Sequence, residues 1–234
     1  MTVAPLFVDV YPLDRPCDWQ AFIASGPPWH GAIFKLSQGL RYEYAAWAAK
    51  QRQSFLASDR YGTTLFDGLY HYLDFSVDGA AQAERAWELI CRVGGEPRGT
   101  LPLMLDAERG GQHVELTKQR VEDVISSAAE RYHQLSGRRA TLYGGELLRA
   151  IGATGRYGCQ WSAVALYASH LGAAGESTEH FLARTGTDLE HTLLWQYCAA
   201  EGRPTGPAGY PTEAPGCGRV DLNALVLPGG LEAL

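Results

Sequence analysis

The stretch Leu101–Gly111, LPLMLDAERGG, decides the fold prediction for this chain of 234 residues. An apolar run this short, entered through a proline and left through two glycines, is typical of a fully buried strand. Two acids, Asp106 and Glu108, follow the run at a spacing of two. Because alternate residues of a strand point to the same face, both carboxylates are expected on one side of its C-terminal end.

This pair of acids indicates a candidate chemistry. Two adjacent carboxylates repel each other's ionisation, which raises one pKa and keeps that group protonated near neutral pH. A proton-donating acid beside a charged carboxylate is the equipment for cleaving a glycosidic bond. The pair alone leaves structural interpretations open, because a D-x-E sequence also occurs as a solvated strand end, as a helix cap or as ion-pair partners of a residue such as Arg109.

Outward from this stretch, strand-like and helix-like segments alternate along the whole chain without a linker-like break. Strands are predicted near 6–11, 32–36, 65–73, 140–143, 161–169, 193–198 and 219–226, and helices near 42–57, 78–93 and 116–135. Such alternation implies parallel strands joined by crossovers. Seven or eight strands in a chain of this length favour one closed, TIM-like α/β barrel over an open sheet. The prediction is a single domain over residues 1–234.

The composition of the chain argues against several classes of binding partner. Hydrophobic residues make up 46% and charged residues 20% of the chain, which is typical of a soluble globular protein. The net charge is −6, and the sequence contains no cluster of Lys and Arg. This argues against nucleic acid as the main partner and against an electrostatically held membrane anchor. No apolar run reaches the roughly 18–20 residues of a membrane span. The N-terminus lacks the features of a secretory signal, so synthesis in the cytoplasm without a signal peptide is expected.

Several kinds of site lose support because their motifs are absent. The sequence has no G-x-S-x-G, P-loop, H-E-x-x-H or G-x-G-x-x-G motif, which argues against serine hydrolases, nucleotide enzymes and zincins. Five scattered cysteines form no C-x-x-C pair, so no metal or cofactor is predicted. Cys198 and Cys217 are candidates for pairing if the protein is exported, although sequence does not fix connectivity.

Polar and aromatic residues gather near the ends of the predicted strands. In a βα barrel those ends converge on one rim, where the chemistry takes place. Asp221 lies beyond the predicted strand 193–198 and is expected to return to the same rim. Tryptophans and tyrosines supply flat faces suited to sugar rings, although core packing accounts for most of them. The residues near strand ends are Asp9, Lys35, His71, Asp106, Glu108, Tyr143 and Gln196.

Seven segments, in order along the chain, resemble glycoside hydrolase family 25, the Chalaropsis-type lysozymes or N,O-muramidases. Any one of these matches is weak, whereas seven in the right order are quite specific. The segments are VDVY at 8–11, FKLSQG at 34–39, GLYHY at 68–72, LMLDAE at 103–108, TLYGG at 141–145, LLWQY at 193–197 and GRVDLN at 218–223.

The resemblance implies a flattened α/β barrel that cleaves the β-1,4 bond between N-acetylmuramic acid and N-acetylglucosamine in peptidoglycan glycan strands, with retention of configuration. It implies that Glu108 is the general acid/base and that Asp106 orients the substrate's own acetamido group, with Asp9 and Asp221 as further acids of the cleft. This substrate assistance is an exception to the two-carboxylate rule of glycosidases. The predicted substrate-binding residues are Lys35, Tyr70, His71, Tyr143, Trp195 and Gln196.

The sequence departs from the family pattern at two places. An aspartate usually follows the SQG-like turn, and whether Glu43 replaces it stays open; Tyr167 stands where a tryptophan is usual. Two other functions also stay open: a catalytically decayed glycan-binding or structural module of a phage tail or secretion apparatus, and a chitin-directed glycosidase. No separate cell-wall-binding domain is expected.

A lysozyme without a leader is expected to reach the cell wall after release or delivery. Two routes stay open: a phage endolysin, or an effector passed through a delivery apparatus and paired with a cognate immunity protein. A monomer is expected.

Overall fold

The computed structural model describes residues 4–14, 16–59, 65–96, 100–153, 155–165, 189–198 and 210–226. Tyr167 and the end of the predicted strand 161–169 lie outside these residues. The strands are β1 (Leu6–Val10), β2 (Trp29–Gln38), β3 (Tyr42–Glu43), β4 (Phe66–Tyr72), β5 (Met104–Asp106), β6 (Thr141–Tyr143), β7 (Trp161–Ala165), β8 (Thr192–Cys198) and β9 (Asp221–Leu225). The helices are α1 (Trp19–Ala24), α2 (Ala45–Ala57), α3 (Gly79–Arg92), α4 (Lys118–Ser136) and α5 (Gly145–Ala150).

The strands close into a barrel, as predicted. Around the described sheet the order is β1, β9, β8, β7, β6, β5, β4 and β2, and β2 pairs with β1 to complete the ring. Seven of these strands are parallel, whereas β9 is antiparallel to both of its neighbours, β8 and β1. The reversed direction of β9 places its first residue, Asp221, at the rim where the parallel strands end. Asp221 there lies directly opposite Asp9.

The barrel interior changes from apolar to polar towards that rim. Four strands each direct an apolar side chain into the interior and a polar one two residues further on, because alternate residues of a strand share a face. The apolar and polar members are Phe7 and Asp9 in β1, Ile33 and Lys35 in β2, Met104 and Asp106 in β5, and Leu194 and Gln196 in β8. The packed lower layer therefore supports a polar upper layer.

Local signals set the ends of the surrounding helices. The Asp78 side chain accepts a hydrogen bond from the backbone N–H of Ala81 and caps α3, and Thr117 caps α4 in the same manner. Gly137, with φ of 73°, ends α4 in the left-handed conformation that favours glycine. The helix predicted over 42–57 begins only at Ala45, because its first residues pair with β2 as β3. No helix in the described ranges is long and apolar enough to cross a membrane.

A buried ionic network holds α2 against the end of the barrel opposite the polar rim. Arg52 of α2 forms an ion pair with Asp67, near the start of β4, and both side chains are about 5% exposed. The guanidinium also donates to the carbonyl of Gly95 at 2.8 Å and to the Thr100 hydroxyl at 3.0 Å. The network thus joins a helix, a strand and the segment before β5.

We expect Arg52→Leu to lower the free energy of unfolding by about 3–5 kcal/mol, because it leaves the Asp67 carboxylate buried without its cation. Urea denaturation followed by circular dichroism measures the change. Arg92→Leu is the matched control: its ion pair with Glu43 is largely exposed, and such pairs contribute about 0–1 kcal/mol. Equal midpoints for the two variants would contradict the structural role of the network.

Candidate active site

The polar rim surrounds a cavity of about 320 Å³. Eight of the ten residues predicted for the site line it, and acids and tyrosines dominate. The lining residues are Asp9, Tyr11, Asp14, Lys35, Tyr70, Tyr72, Met104, Asp106, Glu108, Tyr143, Gln196 and Asp221. A second cavity of about 230 Å³ shares Tyr72 with the first and continues along the surface past Arg41, Asp74 and His113. The two cavities are therefore neighbours that share one wall residue.

Glu108 reaches this cavity from a loop, not from the strand that was predicted to carry it. β5 ends at Asp106, and the loop that follows is fastened to the end of β4. The Gln112 side-chain amide donates to the carbonyl oxygens of Glu108 at 3.2 Å and Leu73 at 2.8 Å, and its oxygen accepts from the backbone N–H of Phe75 at 3.0 Å. This fixes the backbone at Glu108.

Gly144 fixes the residue between the two acids. Its φ of 153° lies in a region that favours glycine, and a Cβ there would stand 2.4 Å from the carbonyl oxygen of Ala107. The Ala107 N–H in turn donates to the Tyr143 carbonyl at 2.8 Å. A side chain at position 144 would therefore displace the backbone that sets Asp106 and Glu108 relative to each other.

Asp9 and Asp106 both hold protons more tightly than ordinary aspartates. Burial raises the pKa of Asp106 well above its usual value, and the nearby charges of Glu108 and Asp9 raise it further. Burial likewise raises the pKa of Asp9, with Asp221 the next contributor. Lys35 lowers both pKa values. Burial and mutual repulsion therefore make these two rim acids bind their protons more tightly than isolated aspartates do.

Asp106 also offers an uncommitted hydrogen-bond acceptor. Its side chain is buried, and its Oδ1 atom finds no hydrogen-bond partner among the described residues. A buried acceptor without a donor costs free energy. A bound molecule with an N–H or O–H group at this depth would satisfy it.

Lys35 stands in a ring of aromatic faces. Its Nζ atom lies 4.9–5.7 Å from the ring centroids of Tyr11, Tyr44, Tyr70 and Tyr72, distances at which the ring faces attract a cation. The ammonium also donates to the Gln38 side-chain oxygen at 3.3 Å. Burial lowers the pKa of Lys35, and Asp106 and Asp9 oppose this effect.

Two residues predicted to bind substrate, His71 and Trp195, do not line the cavity. Neighbouring residues of a strand point to opposite faces, and Tyr70 and Gln196 occupy the inward positions beside them. Trp195 is fully buried on the outer face of the barrel, where its ring packs against Tyr197. The structure therefore does not bring these two side chains to the cavity with the other eight predicted residues.

His71 has a structural role instead. Its Nδ1 atom lies 2.8 Å from the Ser37 hydroxyl of β2, and its Nε2 atom lies 3.2 Å from the Gln82 side-chain oxygen of α3. Burial lowers the pKa of His71 to about 4. The neutral ring therefore accepts from Ser37, donates to Gln82 and ties the barrel to α3.

Four residues that line the cavity were not predicted from the sequence: Tyr11, Asp14, Tyr72 and Met104. Period-two alternation from Tyr70 would have found Tyr72, and the same rule from Asp106 would have found Met104. The same alternation from Asp9 would have found Tyr11, which the predicted strand 6–11 included. Asp14 lies in the turn after β1, where its carboxylate accepts from the backbone N–H of Tyr11 at 2.7 Å, and no strand pattern points to it. Glu43 does not join the acids, since it pairs with Arg85 and Arg92.

The described acids, histidines and cysteines form no cluster that could hold a metal ion.

Residues 8–200 match the family model for glycosyl hydrolases family 25. The chain belongs to this family. The membership confirms the resemblance drawn from the seven segments, and as a family 25 member the chain is a glycoside hydrolase.

The family 25 chain also resembles several solved structures. The muramidase from Trichobolus zukalii is 21% identical with a TM-score of 0.68, over 98% of this chain and 96% of that one. The bacterial lysozyme from Streptomyces coelicolor is 20% identical with a TM-score of 0.65, over 96% and 93%. The modular autolysin LytC from Streptococcus pneumoniae, solved with a synthetic peptidoglycan ligand, is 17% identical with a TM-score of 0.60, over 94% and 46%. At these identities the likeness establishes the fold. No curated protein matches by sequence.

Proposed function

We propose that this family 25 hydrolase is a muramidase, which cleaves the β-1,4 bond between N-acetylmuramic acid and N-acetylglucosamine in peptidoglycan. The observation that carries the proposal is the convergence of Asp9, Asp106, Glu108 and Asp221 on one cavity of the barrel. The neighbouring cavity supports a polymeric substrate, since it gives room for sugars beyond the scissile bond. Muramidases and lysozymes among the structural neighbours support the same substrate class.

In the proposed mechanism Glu108 donates a proton to the glycosidic oxygen as the bond to C1 breaks. The carbonyl oxygen of the substrate's own 2-acetamido group attacks C1 and forms an oxazolinium ion. Asp106 accepts a hydrogen bond from the acetamido N–H and offsets the positive charge of that ion, a role that its unpartnered buried oxygen supports. Water then attacks C1 and displaces the acetamido oxygen, while Glu108 takes a proton from the water. Two displacements at C1 give net retention.

The chemistry of the new reducing end tests this assignment. Purified protein is incubated with peptidoglycan, the products are reduced with borohydride and hydrolysed in acid, and the sugar alcohols are identified. A muramidase yields the alcohol of muramic acid. The alcohol of glucosamine would show cleavage of the other glycosidic bond, and cleavage of chitin oligomers in preference to peptidoglycan would identify a chitin-directed enzyme. Sugar binding without any new reducing end would establish a decayed, non-catalytic module.

Two further measurements test the substrate-assisted route. Proton NMR of a soluble muropeptide oligomer, recorded at once after cleavage, should show the β-anomer first. A thiazoline analogue of the oxazolinium ion should inhibit the enzyme competitively, because it resembles the intermediate. Initial formation of the α-anomer would contradict retention, and an enzyme that retains configuration but ignores the thiazoline would point to direct attack by a carboxylate.

Lys35→Met should move the acid limb of the kcat/KM profile to higher pH. Removal of the ammonium deletes the charge that lowers the pKa of Asp106 and Asp9, so the Asp106 carboxylate forms only at higher pH. The loss of activity should therefore be greater at pH 5 than at pH 8. Lys35→Arg retains the charge and should keep the limb near its original place, while Lys50→Met on the exposed face of α2 controls for loss of a lysine. A uniform loss at all pH values would contradict this electrostatic role.

A further inference from the structure

Two cysteines that are far apart in the sequence meet beside the active-site rim. Cys17 and Cys217 adjoin Asp18 and Gly216, whose backbones are hydrogen-bonded to each other, and Cys17 is the main influence that raises the pKa of the Cys217 thiol. Cys17 precedes α1 and is partly exposed, whereas Cys217 is fully buried in the loop before β9. This differs from the sequence-based pairing candidate, since Cys198 places its thiol 3.8 Å from the carbonyl oxygen of Thr212.

The backbone around the two thiols is already held together. The N–H of Asp18 donates to the carbonyl of Gly216 at 2.9 Å. Gly216 has φ of 71°, and a Cβ on it would stand 2.3 Å from the carbonyl oxygen of Asp18. Only a residue without a side chain permits this approach, so the neighbouring Cys17 and Cys217 are brought together by their own chain segments.

We propose that Cys17 and Cys217 form a disulfide when the protein meets an oxidising environment. Each segment leads directly to the catalytic rim. Asp14 lies three residues before Cys17, and Asp221 lies four residues after Cys217. The disulfide would therefore fasten the turn after β1 to the start of β9, the two strands whose acids Asp9 and Asp221 face each other.

Oxidation proceeds by thiol–disulfide exchange with a small-molecule disulfide such as oxidised glutathione. Cys17, the more accessible thiol, loses its proton and attacks one glutathione sulfur, which releases one glutathione thiolate. Cys217 then loses its proton and attacks the Cys17 sulfur of the mixed disulfide, which releases the second glutathione.

The setting of the proposed function makes this cross-link relevant. Peptidoglycan lies outside the cytoplasmic membrane, where disulfides persist, whereas the cytoplasm keeps thiols reduced. The cross-link closes a loop of about 200 residues, and long loops give large stabilisation in the chain-entropy model. We expect oxidation to raise the melting temperature of the chain by about 5–15 °C. The benefit of this stabilisation to activity on peptidoglycan rests on the proposed function, but formation of the disulfide does not.

The test uses the full chain, fully reduced or equilibrated with oxidised glutathione. Two of the five thiols should disappear on oxidation, and non-reducing peptide mapping by mass spectrometry should join the Cys17 and Cys217 peptides. Cys17→Ser and Cys217→Ser should each abolish the cross-link and the rise in melting temperature. Cys91→Ser, at an exposed cysteine of α3, should leave both unchanged.

A map that joins Cys198 to Cys217, or five thiols that all persist after oxidation, would overturn the proposal. Peptide mapping of the original chain identifies the paired cysteines even if Cys217→Ser fails to fold. The reduced and the oxidised protein are then heated, and the activity that each retains on peptidoglycan measures the benefit of the disulfide. An inactive but cross-linked protein would refute the muramidase proposal and leave the disulfide established.

Discussion

Glu108→Gln lowers kcat for the release of reducing ends from peptidoglycan by about 10²–10⁴-fold, the usual contribution of a positioned general acid. Glutamine keeps the shape of the side chain but cannot give a proton to the glycosidic oxygen. The Gln112 side chain hydrogen-bonds to the backbone carbonyl of residue 108, and this contact remains in the variant. KM and the melting temperature should therefore stay close to those of the original protein.

A substrate with a less basic leaving group gives a second test of the role of Glu108. An aryl glycoside whose leaving group is a weak base needs little protonation, so Glu108→Gln should lose much less of its bond-cleavage rate on that substrate than on peptidoglycan. Glu115→Gln, at an exposed site a few residues along the chain, is the matched control and should retain full activity. An unchanged rate on peptidoglycan for Glu108→Gln would end the assignment of the general acid.

Asp106→Asn should have two opposite effects, a loss of activity and a gain of stability. Activity falls by about 10²–10³-fold, because the amide no longer offsets the charge that develops on the oxazolinium ion. Stability rises at neutral pH because burial, Glu108 and Asp9 together raise the pKa of Asp106 in the folded protein. The native state therefore binds this proton more tightly than the unfolded chain does.

The sign of the pH dependence follows from linkage. Stability decreases with rising pH wherever the native state binds more protons than the unfolded state. For Asp106 that range begins near the ordinary aspartate pKa of about 3.9 and ends at the raised folded value. The melting temperatures of Asp106→Asn and the original protein should be alike near pH 3, and the variant should melt higher at pH 7.

Calorimetry at the two pH values measures this difference. Asp123→Asn, at an exposed position of α4, should show no comparable gain at pH 7. A variant that is less stable than the original protein by the same amount at both pH values would indicate lost packing or hydrogen bonding, and would contradict the account based on repulsion between the rim acids.

Much of the fold follows from short-range patterns. Asp78 and Thr117 begin helices because their side chains satisfy free backbone N–H groups, and Gly137 ends one because it tolerates a positive φ. Alternation of strands with helices predicts the closed barrel and the convergence of Asp9, Lys35 and Asp106 on one rim. These features depend on neighbours within a few residues, so the sequence displays them directly.

Other features depend on contacts between distant segments. A strand pattern indicates that Tyr70 and His71 face opposite ways, but which one faces inward depends on how β4 sits between β2 and β5. The turn that places Asp14 beside the acids has no periodic signal. The partner of Cys217 depends on the approach of Gly216 to Asp18, about 200 residues away in the chain, a separation over which sequence spacing carries no information.

The sequence by itself determined the barrel, its single run of alternating elements and the identity of the four rim acids, because strand period, helix caps and segment order are local properties. The tertiary structure alone decided that β9 runs antiparallel and so returns Asp221 opposite Asp9. It also decided that a loop carries Glu108, that His71 and Trp195 face away from the cavity, and that Cys17 meets Cys217. Each of these depends on which distant segments pack together, and only barrel closure brings those segments into contact.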